Sequence, residues 1–93
     1  MNRGLLVDIG GTNMRYAIAS NDHEDISKIN KTEFDTLDFE TFLRKLVVDN
    51  GIDTLIISIA GPKINNSIRM TNRDYSINSD QLKKNLNLKD CII

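Results

Sequence analysis

The residues best suited to chemistry lie near the start of the chain, in Leu6-Val7-Asp8-Ile9-Gly10-Gly11-Thr12-Asn13-Met14-Arg15. An acid closes an apolar run, two glycines follow, and a hydroxyl and an amide side chain come next. Successive glycines strip side chains from a turn, so that a phosphate can approach backbone N–H groups in an anion-binding nest. Thr12 and Asn13 add donors to those of Gly10 and Gly11. Asp8 suits Mg²⁺, which keeps most of its waters and takes few carboxylates. Arg15 can face either a phosphate or an acid on the sheet surface. The same residues also allow a plainer reading, an ordinary hairpin whose Gly10-Gly11 serves only the turn. The spacing matches neither Gly-x-x-x-x-Gly-Lys-[Ser/Thr] nor Gly-x-Gly-x-x-Gly, which sets aside both common nucleotide-binding loops.

Other reactive side chains carry less. His23, the single histidine, sits in Asn-Asp-His-Glu-Asp and reads as part of a solvated polar turn. Ser58 lies inside an apolar strand with no histidine placed to activate it. Cys91 reads as a small core residue, and Lys83-Lys84 as the wet face of a helix. Asp74 is one further acid that could be mistaken for a base.

The elements that must hold these residues follow from periodicity. Gly4–Ile9 is a buried strand, Asn13–Ser20 returns antiparallel to it, and Ile26–Phe34 is a third strand with Lys28 and Lys31 facing out. Phe39, Phe42, Leu43, Leu46 and Val47 make one apolar stripe, predicting a helix over 37–50. Asp38 is its expected N-cap, Leu37 and Phe42 its hydrophobic staple, and Gly51 its C′ residue. Asp53–Ala60 is β-branched and apolar on both faces, as a central strand is. Ile64–Met70 reads as a small hairpin about Asn65-Asn66. Asn78 and Gln81 form a variant capping box ahead of a second helix carrying Leu82 and Leu86. Asp90–Ile93 starts a further strand.

The resulting order, β-β-β-α-β-α-β with a small hairpin inserted, predicts an α/β fold. Its mixed sheet is a three-strand antiparallel meander extended by parallel strands, as in a ribonuclease H-like half-domain. Ninety-three residues allow one domain, and 40% hydrophobic content with one proline and five glycines is globular. A net charge of −1 and the lack of a basic run argue against nucleic-acid or anionic-membrane partners. A single cysteine points to a reducing, cytoplasmic setting. No stretch reads as a signal peptide or a membrane span.

Three segments taken in order resemble the bacterial-type glucokinases, within the hexokinase–actin–Hsp70 class of ATPases. Asp8-x-Gly10-Gly11-Thr12-Asn13-x-Arg15 is similar to that family's first phosphate loop, Ala60-Gly61-Pro62 to its Ala-Gly-Pro loop, and Met70-Thr71-Asn72 to its Met/Leu-Thr-Asn. The family usually follows that Asn with His and then, two residues later, Trp; here Arg73 and Tyr75 stand instead. The resemblance runs from Leu5 to Ile93. It implies ATP and Mg²⁺ as cofactors, glucose or a similar hexose as substrate, and transfer of the γ-phosphoryl to the sugar. It implies that Asp8 through Arg15 serve the nucleotide, with Asp8 holding Mg²⁺ through water, and that Gly61 and Asn72 lie on the sugar side. The family's strand corresponding to Cys91-Ile92-Ile93 runs into Asn-Asp, whose Asp is the general base. Residues 1–93 are therefore expected to be an N-terminal lobe cut just before that pair. Such a piece would be inactive alone, normally partnered by a C-terminal lobe, and prone to self-association. A non-catalytic sugar- or nucleotide-binding relative of the same fold, or a short interaction protein, are the rival readings.

Overall fold

The computed structural model describes residues 3–20, 25–26, 28–71 and 74–93. His23, Asn72 and Arg73 lie outside them. The chain opens with a hairpin of β1 (Arg3–Ile9) and β2 (Asn13–Ser20), antiparallel throughout, with Asp8 opposite Arg15 and Ile9 opposite Met14. The third strand expected over 26–34 is instead two short ones, β3 (Asp25–Ile26) and β4 (Asn30–Glu33). Both lie along the same edge of β2, at Ala19–Ser20 and Asn13–Tyr16 respectively.

Helix α1 (Phe39–Asn50) follows, then β5 (Thr54–Ile59), which pairs parallel to β1. Three short strands then form a separate small sheet: β6 (Lys63–Ile64), β7 (Ser67–Arg69) and β8 (Ser76–Asn78). The first two make the expected hairpin, with Asn65 at φ 55° in its turn. The third strand is an addition that periodicity did not disclose. Helix α2 (Ser79–Asn85) leads to β9 (Asp90–Ile92), parallel to β5. The main sheet therefore runs β3-β2-β1-β5-β9, with β4 beside β3 on the outer edge of β2. This is the mixed sheet that the element order predicts.

Both helices pack on one face of that sheet. Leu5, Val7, Leu55 and Ile57 point from the strands to Phe39, Leu43 and Val47 of α1 and to Leu82 and Leu86 at α2. Asn85 Nδ2 donates to Glu40 Oε1 (3.1 Å), joining the two helices. Phe34, Phe39 and Tyr75 form an edge-to-face cluster with centroids 5.1 to 6.4 Å apart. An aromatic ring at position 75 thus earns its place in packing. Burial raises the Tyr75 phenol's pKa above its usual value, with the Glu40 carboxylate adding to the effect.

The helix termini divide. Gly51 takes the left-handed conformation (φ 62°, ψ 41°) and its N–H donates to the Val47 carbonyl, as a C′ glycine should. Asn78 accepts from the Gln81 N–H at 2.9 Å, so the α2 cap forms as expected. At α1 the expected cap and staple do not form. Asp38 sits at φ −120°, ψ 11° and makes no side-chain capping bond. Leu37 is 93% exposed, and its N–H donates to Asp35 Oδ1 instead.

The opposite face of the main sheet is open. Ile56 is 39% and Ile92 49% exposed, and Ser58 is exposed beside them. So β5 is buried on one face only, whereas its composition predicts burial on both. No helix among the described residues is long and apolar enough to cross a membrane.

Candidate active site

The site begins where β1 ends. Side chains alternate along a strand, so with Leu5, Val7 and Ile9 buried, Asp8 must stand on the open face. Strand register then sets a row of four side chains across the sheet. Asp8 lies opposite Arg15 on β2 and Ser58 on β5, and Arg15 lies opposite Lys31 on β4. All four residues are exposed. Asp8, Gly10, Gly11, Thr12, Asn13, Arg15 and Lys31 line one polar pocket of about 180 Å³.

The loop between β1 and β2 is tightly tied. The Gly10 N–H donates to the Asn13 carbonyl at 2.8 Å, and the Thr12 carbonyl accepts from the Phe34 N–H at 2.9 Å. Gly10 has its own reason to be glycine: a Cβ there would lie 3.2 Å from the Asn13 oxygen. Its amide is committed inside the hairpin, which removes one of the backbone donors expected of the loop. Asn13 Nδ2 donates to Thr12 Oγ1 (3.3 Å), which leaves the hydroxyl proton free to point into the pocket.

A second pocket of about 110 Å³ lies on the other side of the same glycines. Ile9, Gly10 and Gly11 meet Ile59-Ala60 and Met70-Thr71 there. All three sequence motifs therefore converge on Gly10-Gly11. Ala60 lines this pocket and Gly61 does not. Gly61 lies at φ 153°, and a Cβ on it would fall 2.1 Å from the Arg69 carbonyl oxygen. Asn72 falls outside the described residues; nearby, the Met70 N–H donates to the Tyr75 carbonyl (2.9 Å).

The minor candidates resolve simply. Asp74 pairs with Arg69 at the surface, far from the role of a base. Ser58 neighbours Asp8 in the sheet. Cys91 packs against the core, and burial pushes its thiol up to about 11, with the Asp90 and Asp80 carboxylates adding and Lys83 opposing. The folded chain thus keeps a proton that the unfolded chain releases near pH 9.0, so stability falls as pH rises from there towards 11. Iodoacetamide at pH 9 should alkylate Cys91 tens of times more slowly in the folded chain than in urea. Equal rates would refute the half-buried, protonated thiol.

No cluster of three or more His, Cys, Asp or Glu that could hold a metal occurs among the described residues. The donor set at the pocket is a single exposed carboxylate, Asp8, in no ion pair there. One carboxylate with room for water and phosphate oxygens suits Mg²⁺ and would not make a cage for a transition metal.

Lys31 is the pocket-lining residue that periodicity does not single out. The pattern makes it an outward lysine on a third strand, and only the register of β4 on β2 shows which pocket it faces.

The family model for Glucokinase matches residues 5–93. The chain belongs to the glucokinase family. A glucokinase of Caulobacter vibrioides is 35% identical over 88 residues, covering 87% of this chain and 26% of that protein. The chain thus spans about a quarter of this relative's length. In fold it matches a glucokinase from an Antarctic psychrotroph (TM-score 0.68, 20% identity, 99% of this chain and 31% of that one). It also matches a Balamuthia mandrillaris glucokinase solved in complex with glucose (TM-score 0.68, 22% identity, 98% and 29%).

Proposed function

We propose that this chain is the N-terminal, phosphate-holding part of an ATP-dependent hexose kinase acting on glucose or a close relative in a reducing, cytoplasmic setting. The observation that carries this reading is the convergence, in a glucokinase-family chain, of the Asp8–Arg15 loop with Ala60 and Met70-Thr71 about Gly10-Gly11. Phosphoryl transfer asks little covalent chemistry of a protein; it asks for positioning and charge neutralisation. Thr12 and Asn13 donate to phosphate oxygens, Arg15 offsets phosphate charge, and Asp8 holds Mg²⁺ through water. When bound, that ion neutralises charge on the phosphates. The sugar side begins at Ala60-Gly61 and continues through Thr71-Asn72. The γ-phosphorus gains a bond to the sugar's 6-oxygen and loses its bond to the bridging oxygen of ADP. The hydroxyl proton goes to a carboxylate that, in this reading, follows Ile93 in a longer protein. The open face with Ile56 and Ile92 is covered in that protein by its remaining chain.

The test is a coupled assay for glucose-dependent ADP formation. The longer protein is expected to turn over, and the 93-residue chain alone to match the blank. Turnover by the chain alone, or none by the longer protein with any hexose, refutes the proposal.

A further inference from the structure

We propose that Lys31 binds phosphate, forming with Arg15 a two-cation seat for the terminal phosphates of a nucleoside polyphosphate. This rests on the reading of the site as a phosphate pocket and adds to it a residue outside the loop. Three observations carry it. First, Lys31 lines the same pocket as Asp8, Thr12 and Asn13 although it comes from a different strand. Second, β4 sets Lys31 directly opposite Arg15, on the same face of the sheet. Like charges directly opposite each other on neighbouring strands are destabilising, so this pair costs the fold unless an anion lies over it. Third, no carboxylate among the described residues pairs with either cation. The ion pairs among the described residues are Arg44–Glu40 and Arg69–Asp74, and neither involves Lys31 or Arg15. Asp8, next in the row, makes no ion pair with Arg15, so the pocket holds two cations against one carboxylate.

The backbone gives this arrangement precision. The Phe34 N–H bonds to the Thr12 carbonyl (2.9 Å), and Phe34 is buried. The end of β4 is thereby fixed to the loop itself. Lys31 sits on paired strand, three residues from that anchor, where its long side chain can reach over the pocket mouth. An ammonium on a flexible stem follows a phosphate as a point charge, whereas Arg15 grips with a planar fork. One cation of each kind suits a polyphosphate whose charge is spread over several oxygens.

The experiment is an amide NMR titration of the 93-residue chain at low salt with Mg²⁺ and inorganic tripolyphosphate, with inorganic monophosphate alongside. Shifts at Gly11, Thr12 and Asn13 locate the ligand and test the pocket independently of Lys31. Lys31→Met is expected to weaken tripolyphosphate binding about 5- to 10-fold, a charge-assisted contact discounted for exposure. Lys31→Arg should stay within about twofold, as should Lys45→Met on the far helix, which makes the same change in net charge. Tripolyphosphate should bind at least about tenfold tighter than monophosphate, because only the longer anion reaches both cations. The ligand-free melting temperature of Lys31→Met should not fall, since its removal relieves a like-charge pair. Loop shifts with unchanged affinity in Lys31→Met overturn the role of Lys31 and leave the phosphate pocket standing. Absence of loop shifts in the unsubstituted chain overturns both. Equal affinity for the two anions overturns the two-cation seat, and a lowered melting temperature in Lys31→Met makes the lysine structural.

Discussion

Gly61→Ala should lower the stability of the chain by on the order of 3 kcal/mol, measured as a shift in the urea unfolding midpoint. Two independent effects add. At φ 153° the residue occupies a region that is essentially glycine's alone, and a Cβ would meet the Arg69 carbonyl oxygen at 2.1 Å. That obstacle is backbone, held in the β6–β7 hairpin, and cannot swing aside as a side chain tip would. Gly51→Ala provides the calibration. Gly51 also has positive φ, 62°, but nothing lies within 4 Å of its missing Cβ. It should cost only about 1 kcal/mol, the left-handed penalty without a clash. The ordering of the two variants separates crowding from conformational strain. Equal losses would mean that the Arg69 carbonyl does not lie against Gly61. A near-neutral Gly61→Ala would remove the packing explanation for this glycine, and its role would then be sought in the sugar contact that we propose for its loop.

The parts of this fold that were legible in the sequence are those whose pattern is local. A stripe of Phe39, Leu43 and Val47 can be only one face of a helix, and a glycine after it at position 51 has one obvious use. Asn78 and Gln81 name their own hydrogen bond. The features that local pattern does not determine share a different origin. Ile26–Phe34 alternates well enough for one strand, but two separate lengths of β2 receive it, and pairing of that kind is not written in period-2 patterning. Asp38 is the right residue type for a cap, yet capping needs an extended backbone, and at ψ 11° its carboxylate does not reach the helix N–H groups. With Asp35 taking the Leu37 N–H, the leucine points to solvent and the staple is lost. Ile56 and Ile57 look equally buried in sequence. Composition shows that both faces of β5 are apolar, and it cannot show that only one is covered by residues 3–93. Lys31 is the instructive case for the site. Its side of the strand was readable, whereas the pocket that side faces depends on register with Arg15, a tertiary fact.

In the longer kinase that we propose this chain opens, Asp8→Asn should cost about 10²- to 10³-fold in turnover, the scale of removing one preorganised electrostatic group from a reacting centre. The substitution keeps the size of the side chain and removes only its charge. Asp8 is exposed and in no ion pair among the described residues, so the fold should be indifferent, with stability unchanged within about 0.5 kcal/mol. The loss should deepen at low Mg²⁺ and shrink as Mg²⁺ rises, because a carboxylate that organises the ion's water shell acts through the ion's occupancy. Gly11→Val supplies the companion measurement. A β-branched side chain at the pocket lining obstructs phosphate, and should raise the KM for ATP more than that for the sugar. A hairpin whose glycines served only the turn predicts the reverse pattern. Gly11→Val would then lose stability while the surviving folded enzyme kept its ATP kinetics, and Asp8→Asn would be silent at every Mg²⁺ concentration. If both variants melt like the parent and keep its ATP and Mg²⁺ dependence, the Asp8–Arg15 loop is not the phosphate site. The convergence of the three motifs on Gly10-Gly11 would then need another ligand.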